Sequence, residues 1–253
     1  MVRRSESSGG GDRPVSPELR APWPASRSPS IESEIEAELE RLRSSESAEA
    51  SLPASRASGS PRTALIVCGA LAREVLALRD RHGWEAEVLG VPALLHNRPD
   101  RIPPAVGSRI RQARALYDRV LVVYGDCGTG GMLDRLLEAE GVERLRGPHC
   151  YEFYADRAFD ELMAEAPGTF FLTDYMVRSF DHLVVEGLGL DRFPELRDDY
   201  FRNYTRVVYL SQTEDPELHE HARLAAERLS LPLTTLHVGY GALESRLLNW
   251  FGR

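Results

Sequence analysis

No stretch of this sequence approaches the ~20 consecutive apolar residues that a membrane helix needs, and that excludes a helical span. Nor is there a basic stripe. The net charge is -8 and the pI near 5.5, which argues against non-specific binding to nucleic acid, where phosphates must be neutralised. The opening segment, MVRRSESSGGGDRPVSPELR, has basic residues but no apolar core after them, so it does not read as a secretory signal. A cytoplasmic location is the expectation. Cysteine is scarce, at 3 residues, and no CxxC is present. In a reducing compartment such cysteines read as thiols or ligands, not as a disulfide framework.

Apolar residues make up 42% of the chain, slightly low for a globular protein, and the first sixty residues account for much of the deficit. Residues 1–62 are rich in Ser, Pro, Gly, Arg and Glu and are expected to be a disordered tail. Within it, Ile31, Ile35, Leu39 and Leu42 fall at helical spacing and predict a short helix near 31–43, transient or used for docking.

Residues 63–253 predict an α/β domain. TALIVCGA, EAEVLGVP, RVLVVYGD, the weaker VERLRGPH, GTFFLTD, RVVYLSQ and PLTTLHVGYG read as strands, with helical segments between them. The third is continuously apolar, as a strand covered on both faces must be. Strict alternation of strand and helix predicts an open, mainly parallel, Rossmann-like sheet with helices on both faces. The strands TFFLTD and VVYLSQ are expected to begin a second, smaller α/β half.

Right-handed crossovers put every strand's C-terminal end on one edge, where open α/β sheets bind ligands. Cys68 ends the first strand, Cys127 follows the third and Cys150 follows the fourth. A strand order beginning 2-1-3-4 would make these three ends neighbours. The expectation is a metal site of Cys68, Cys127 and Cys150, and soft sulfur ligands select zinc, copper(I) or an iron–sulfur cluster. Asp126, His149 and Glu152 adjoin these positions and are candidates for acid–base work, although Asp126 could equally cap the next helix. Gly125, Gly128, Thr129 and Gly130 form a loop that could cradle an anion or leave room for a ligand. The loop is neither GxGxxG nor a P-loop. His96, Asp174, Tyr175, Arg178, Tyr240 and Glu244 are candidates for a substrate pocket.

The segments ALIVCGAL, YGDCGTGG, GPHCYEF, GTFFLTDY, LGLDRFPELRDDYFRNYTRVVYL and HVGYGALE resemble the domain of unknown function 1638 family, from Thr63 to about Leu248. The resemblance implies a part in one-carbon metabolism, because members of that family are encoded beside corrinoid proteins and methyltransferases. Corrinoid would then enter only through a partner protein. Three functions stay open from the sequence. One is a metal-dependent enzyme or accessory factor of methyl transfer, acting on a thiol or other small molecule. Another is a module that binds a small molecule or a partner without catalysis. The third is a Rossmann-like enzyme that uses a nucleotide or phosphate.

Overall fold

The computed structural model describes residues 62–252. The tail before them, with the helix expected near 31–43, lies outside the described residues. Two parallel sheets form the frame. The first has β1 (Thr63–Cys68), β2 (Ala86–Val91), β3 (Arg119–Val123) and β4 (Glu143–Arg144), in the order β2-β1-β3-β4. The second has β5 (Thr169–Thr173), β6 (Arg206–Ser211) and β7 (Leu233–His237), in the order β5-β6-β7. Every pairing is parallel, and the expected order 2-1-3-4 is found. Ala64, Leu65, Ile66 and Val67 of β1 are wholly buried, as suits the strand flanked on both edges and both faces.

The helices α1 (Ala72–His82), α2 (Ile102–Arg114) and α3 (Met132–Glu140) connect the first strands. α1 stops where Gly83 adopts the left-handed conformation at φ 64°, as its place after the last apolar repeat predicts. The segment YEFYADRAFDELMAEA reads as one helix but forms two, α4 (Cys150–Ala155) and α5 (Arg157–Glu165). Asp156, between them, sits at φ 47° and ψ -124°, outside helical space. In the second half, α6 (Asp174–Arg178), a π-helical turn at Asp181–Glu186, α7 (Leu196–Phe201) and α8 (Pro216–Leu229) surround the sheet.

The chain does not finish on β7 as its pattern suggested. A last helix, α9 (Gly241–Phe251), returns to the first half, where Leu243 and Leu247 are fully buried in that core. Phe251 stacks on Trp84 at 4.7 Å, and Arg119 donates to the Trp250 carbonyl at 2.9 Å. The halves also meet at the strand ends, where Tyr175 packs with Ala72 and Ala93.

The start of α9 touches α4 so closely that only glycine fits. A Cβ on Gly241, at φ 49°, would lie 1.8 Å from the Tyr154 carbonyl oxygen. Gly241→Ala is therefore expected to cost more than about 3 kcal/mol in urea unfolding, since backbone itself must move. Gly83→Ala meets no atom within 4 Å and serves as the control, at about 1–2 kcal/mol for its left-handed φ alone. Equal losses in the two variants would show that the α9–α4 contact carries no strain.

Candidate active site

β4 is only two residues long, yet the segment after it stays bound to the segment after β3. Asp126 donates its N–H to the Gly147 carbonyl at 3.0 Å, and Cys127 donates to that of Pro148 at 2.8 Å. A Cβ on Gly125 would lie 3.1 Å from both the Cys127 sulfur and the His149 backbone, so a larger residue would have to push this crossing apart. Arg144 ties the arrangement from below. It pairs with Asp134 at 2.6 Å and donates to the carbonyls of Leu145 at 2.8 Å and Tyr124 at 3.3 Å.

This brings Cys68, Cys127 and Cys150 to one buried edge around Tyr124, each close enough to act on its hydroxyl. Burial pushes the Cys68 thiol up to about 11, offset in part by the Ala70 backbone and the Tyr124 hydroxyl. Burial, then the neighbouring Cys127 and Cys68 sulfurs, push Cys150 well above the ordinary thiol value. Both are neutral thiols at physiological pH. The Tyr124 hydroxyl, fully buried, makes no hydrogen bond of normal geometry among the described residues, and the Cys68 sulfur is the neighbour it acts on. The donor chemistry of three sulfurs fits a soft cation, but the positions do not close about one point. Among the described residues no group of three or more His, Cys, Asp or Glu is arranged to hold a metal ion.

His96 is placed differently from a mere pocket residue. It lies in the 3-10 turn Ala93–Asn97 and stacks on Tyr124 at 5.8 Å. Its Nδ1 is 2.6 Å from the Ala93 carbonyl oxygen, which can only accept, so the neutral ring carries its proton on Nδ1. Nε2 takes no part in that bond, and the Cys127 thiol lies close enough to the ring to favour its charged form. Burial disfavours the imidazolium, but the pairing with Cys127 and the Ala93 carbonyl outweigh it and hold the ring above its ordinary value. Cys127 itself has φ 47°, a left-handed conformation that costs a non-glycine residue about 1 kcal/mol or more.

The structure gives Asp126 a different task from proton transfer. Its carboxylate accepts from the Thr129 hydroxyl and from the N–H groups of Gly130 at 3.1 Å and Gly131 at 2.9 Å. Those bonds outweigh its partial desolvation and hold the carboxyl below its ordinary value. The loop of Gly125, Gly128, Thr129 and Gly130 does cradle an anion, but the anion is its own Asp126. Of the amides from Asp126 to Met132, only that of Gly128 makes no hydrogen bond among the described residues. A phosphate therefore finds few free donors here.

Glu152 is held by Arg246 at 3.1 Å, in a cavity of about 800 Å³ that none of the thiols lines. His149 is exposed at the start of α4, and desolvation lowers its ring below the ordinary value. It borders a cavity of about 530 Å³ with Tyr151, Phe159, Phe171 and Tyr204. Asp174 is fully buried and accepts from the Tyr209 hydroxyl at 2.6 Å, the Thr213 hydroxyl at 2.6 Å and the Gln212 N–H at 3.0 Å. Arg178 pairs with it at 3.8 Å. Tyr240 and Glu244 lie elsewhere. Arg81 covers the Tyr240 ring at 4.9 Å, and Glu244 binds His82 at 2.7 Å, at the end of α1 away from Cys68.

Sequence reading missed Glu74. It is 5% exposed in the first turn of α1, and it senses Asp174 and Arg178 of the other half. The signal was there: Glu74 falls at i+3 from Leu71 and i-4 from Leu78, an acid on an apolar stripe. Burial pushes its carboxyl up to about 7, with Asp174 adding to the rise and Arg178 and the Tyr154 hydroxyl opposing it.

Two parallel sheets joined at their C-terminal edges, with thiols and a paired imidazole at the joint, define a Rossmann-like α/β protein with a thiol centre. The chain belongs to the family described as "Protein of unknown function (DUF1638)", which matches residues 91–247. That match begins at β2's last residue, so it holds His96, Cys127 and Cys150 but not Cys68, a narrower span than the one expected from Thr63. No curated protein and no solved structure matches the chain. Among the described residues, no helix is long and apolar enough to cross a membrane.

Glu74 binds its proton more tightly folded than unfolded, so it favours folding fully below pH 4.5, its ordinary value, and loses that support as pH rises to about 7. Across that window the wild type is expected to lose about 3 kcal/mol relative to Glu74→Gln. Urea unfolding of both chains from pH 4.5 to 8 measures this; parallel curves would show that Glu74 is not buried as a neutral acid.

Proposed function

We propose that the chain is an enzyme of thiol chemistry, with Cys127 the nucleophile and His96 its base. One observation supports this above the rest. The His96 ring is oriented by the Ala93 carbonyl at 2.6 Å and paired with a thiol on a strained turn at φ 47°. Nucleophile, base and a third group that fixes the base make up the constellation of covalent catalysis. Nε2 takes the Cys127 proton, and the imidazolium then faces the thiolate. Cys68 and Cys150, held as neutral thiols by burial, leave that single negative sulfur unopposed.

Alkylation by iodoacetamide, read by peptide mass, tests the assignment. Cys127 is expected to react first, and His96→Gln to slow it about a hundredfold at neutral pH, the scale of lost general-base help. If the three thiols react together, only as the chain unfolds, and His96→Gln changes nothing, the reading fails.

A second reading keeps Cys68, Cys127 and Cys150 as a site for zinc or an iron–sulfur cluster, and the shared burial of three sulfurs around Tyr124 favours it. Ligation requires the thiols to rotate toward a common point. A thiolate-bound metal would supply Lewis-acid or redox chemistry, and a place in corrinoid-linked methyl transfer beside a methyltransferase belongs to this reading. Element analysis of anaerobically purified protein decides it: one zinc, or iron with sulfide, per chain supports it, and substoichiometric metal removes it.

A further inference from the structure

We propose that the reaction at Cys127 is acyl transfer, and that its substrate is an ester or thioester whose carbonyl oxygen is received by the Gly128 N–H and the Tyr124 hydroxyl. This rests on Cys127 being the nucleophile and names the substrate class of that same site.

Three independent features point to it. Cys127 stands in the loop 124–131 that joins the parallel strand β3 to the helix α3, at the C-terminal edge of the sheet, and its φ of 47° turns the chain sharply there. Such a turn lifts a nucleophile above the sheet and presents the next residue's N–H beside it, where a tetrahedral oxyanion forms. That next N–H belongs to Gly128, and it is the amide the loop leaves unspent while Asp126 consumes those of Gly130 and Gly131. Gly128 is exposed, so a substrate carbonyl can reach it. Steric room matches as well, because two residues before the nucleophile a Cβ in place of Gly125 would crowd the Cys127 sulfur at 3.1 Å.

The second donor comes from outside the loop. The Tyr124 hydroxyl is buried with no hydrogen bond of normal geometry among the described residues, the weakly accepting Cys68 sulfur being its neighbour, and its ring lies against that of His96. A buried hydroxyl with no partner costs about 1–3 kcal/mol, and an incoming oxyanion would satisfy it. Both donors would act most strongly on the tetrahedral adduct, where full charge sits on oxygen.

The step balances without any co-reactant beyond the acceptor. The Cys127 proton passes to His96 Nε2. Sulfur forms a bond to the carbonyl carbon, the bond from that carbon to the leaving oxygen or sulfur breaks, and the His96 proton goes to the leaving group. Cys127 then holds a thioester. Water, or an acceptor thiol or amine, gives its proton to His96, attacks the carbonyl and returns Cys127 as a thiol.

The probe is p-nitrophenyl acetate with the full chain. The sequence contains no lysine, so side-chain amines do not compete for the acetyl group. Expected is a burst of about one nitrophenolate per chain and an acetyl group on the Cys127 peptide, both absent in Cys127→Ser. Tyr124→Phe is expected to lower acetylation about a hundredfold relative to alkylation by iodoacetamide, because displacement at a saturated carbon forms no oxyanion. Alkylation of Cys127 that depends on His96, with no acetylation, would leave the nucleophile standing and overturn the acyl assignment. Equal loss of both reactions in Tyr124→Phe would overturn the role of its hydroxyl, and loss of both in His96→Gln would not.

Discussion

Two backbone hydrogen bonds, from Asp126 to Gly147 and from Cys127 to Pro148, hold the thiol edge together. β4 is too short to align this edge by strand pairing alone. The bonds extend the parallel ladder past the point where β3 and β4 stop being strands, and they set Cys127 against the start of α4. Everything around them serves that crossing. Gly125 clears the space, Arg144 gathers the carbonyls beneath, and Asp126 folds the following loop onto its own carboxylate. The strain at Cys127 persists because these bonds over-determine its position.

The electrostatics of the joint follow from the same geometry. Among the described residues no Lys or Arg is buried among the three thiols, so desolvation dominates for Cys68 and Cys150. Cys127 differs in having the His96 imidazole beside it. The three sulfurs thus differ in their neighbours and not in exposure, since all are buried. Opposite them, Asp174 is saturated by Tyr209, Gln212 and Thr213. It organises the second half as Asp126 organises the first.

Much of this was legible from residue order. Continuous apolar strands alternating with amphipathic helices define the parallel architecture, and the topology rule placed Cys68, Cys127 and Cys150 on one edge before any coordinates. What failed to read out depended on side-chain direction or distant contact. Asp126 read as a proton carrier or as the cap of the next helix because it adjoins Cys127, but its bonds run forward to Thr129, Gly130 and Gly131. Tyr240 precedes α9 and Glu244 lies in its first turn, and both meet α1 rather than the strand ends. Leu243 and Leu247 mark α9 only once the first half is known to lack cover. The role of His96 turned on a single carbonyl, that of Ala93, which no spacing reveals.

The contact of Gly241 with Tyr154 has a consequence for biosynthesis. α4 carries Cys150 at its first residue, and its other end is held by α9 at Tyr154 and by Phe159, Phe171 and Val208 around Ala155. A nascent chain whose residues 241–251 are still within the ribosome has made all three cysteines but not the helix that backs α4. The packing behind Cys150 is therefore completed later than the edge itself, when α9 emerges and Gly241 meets Tyr154.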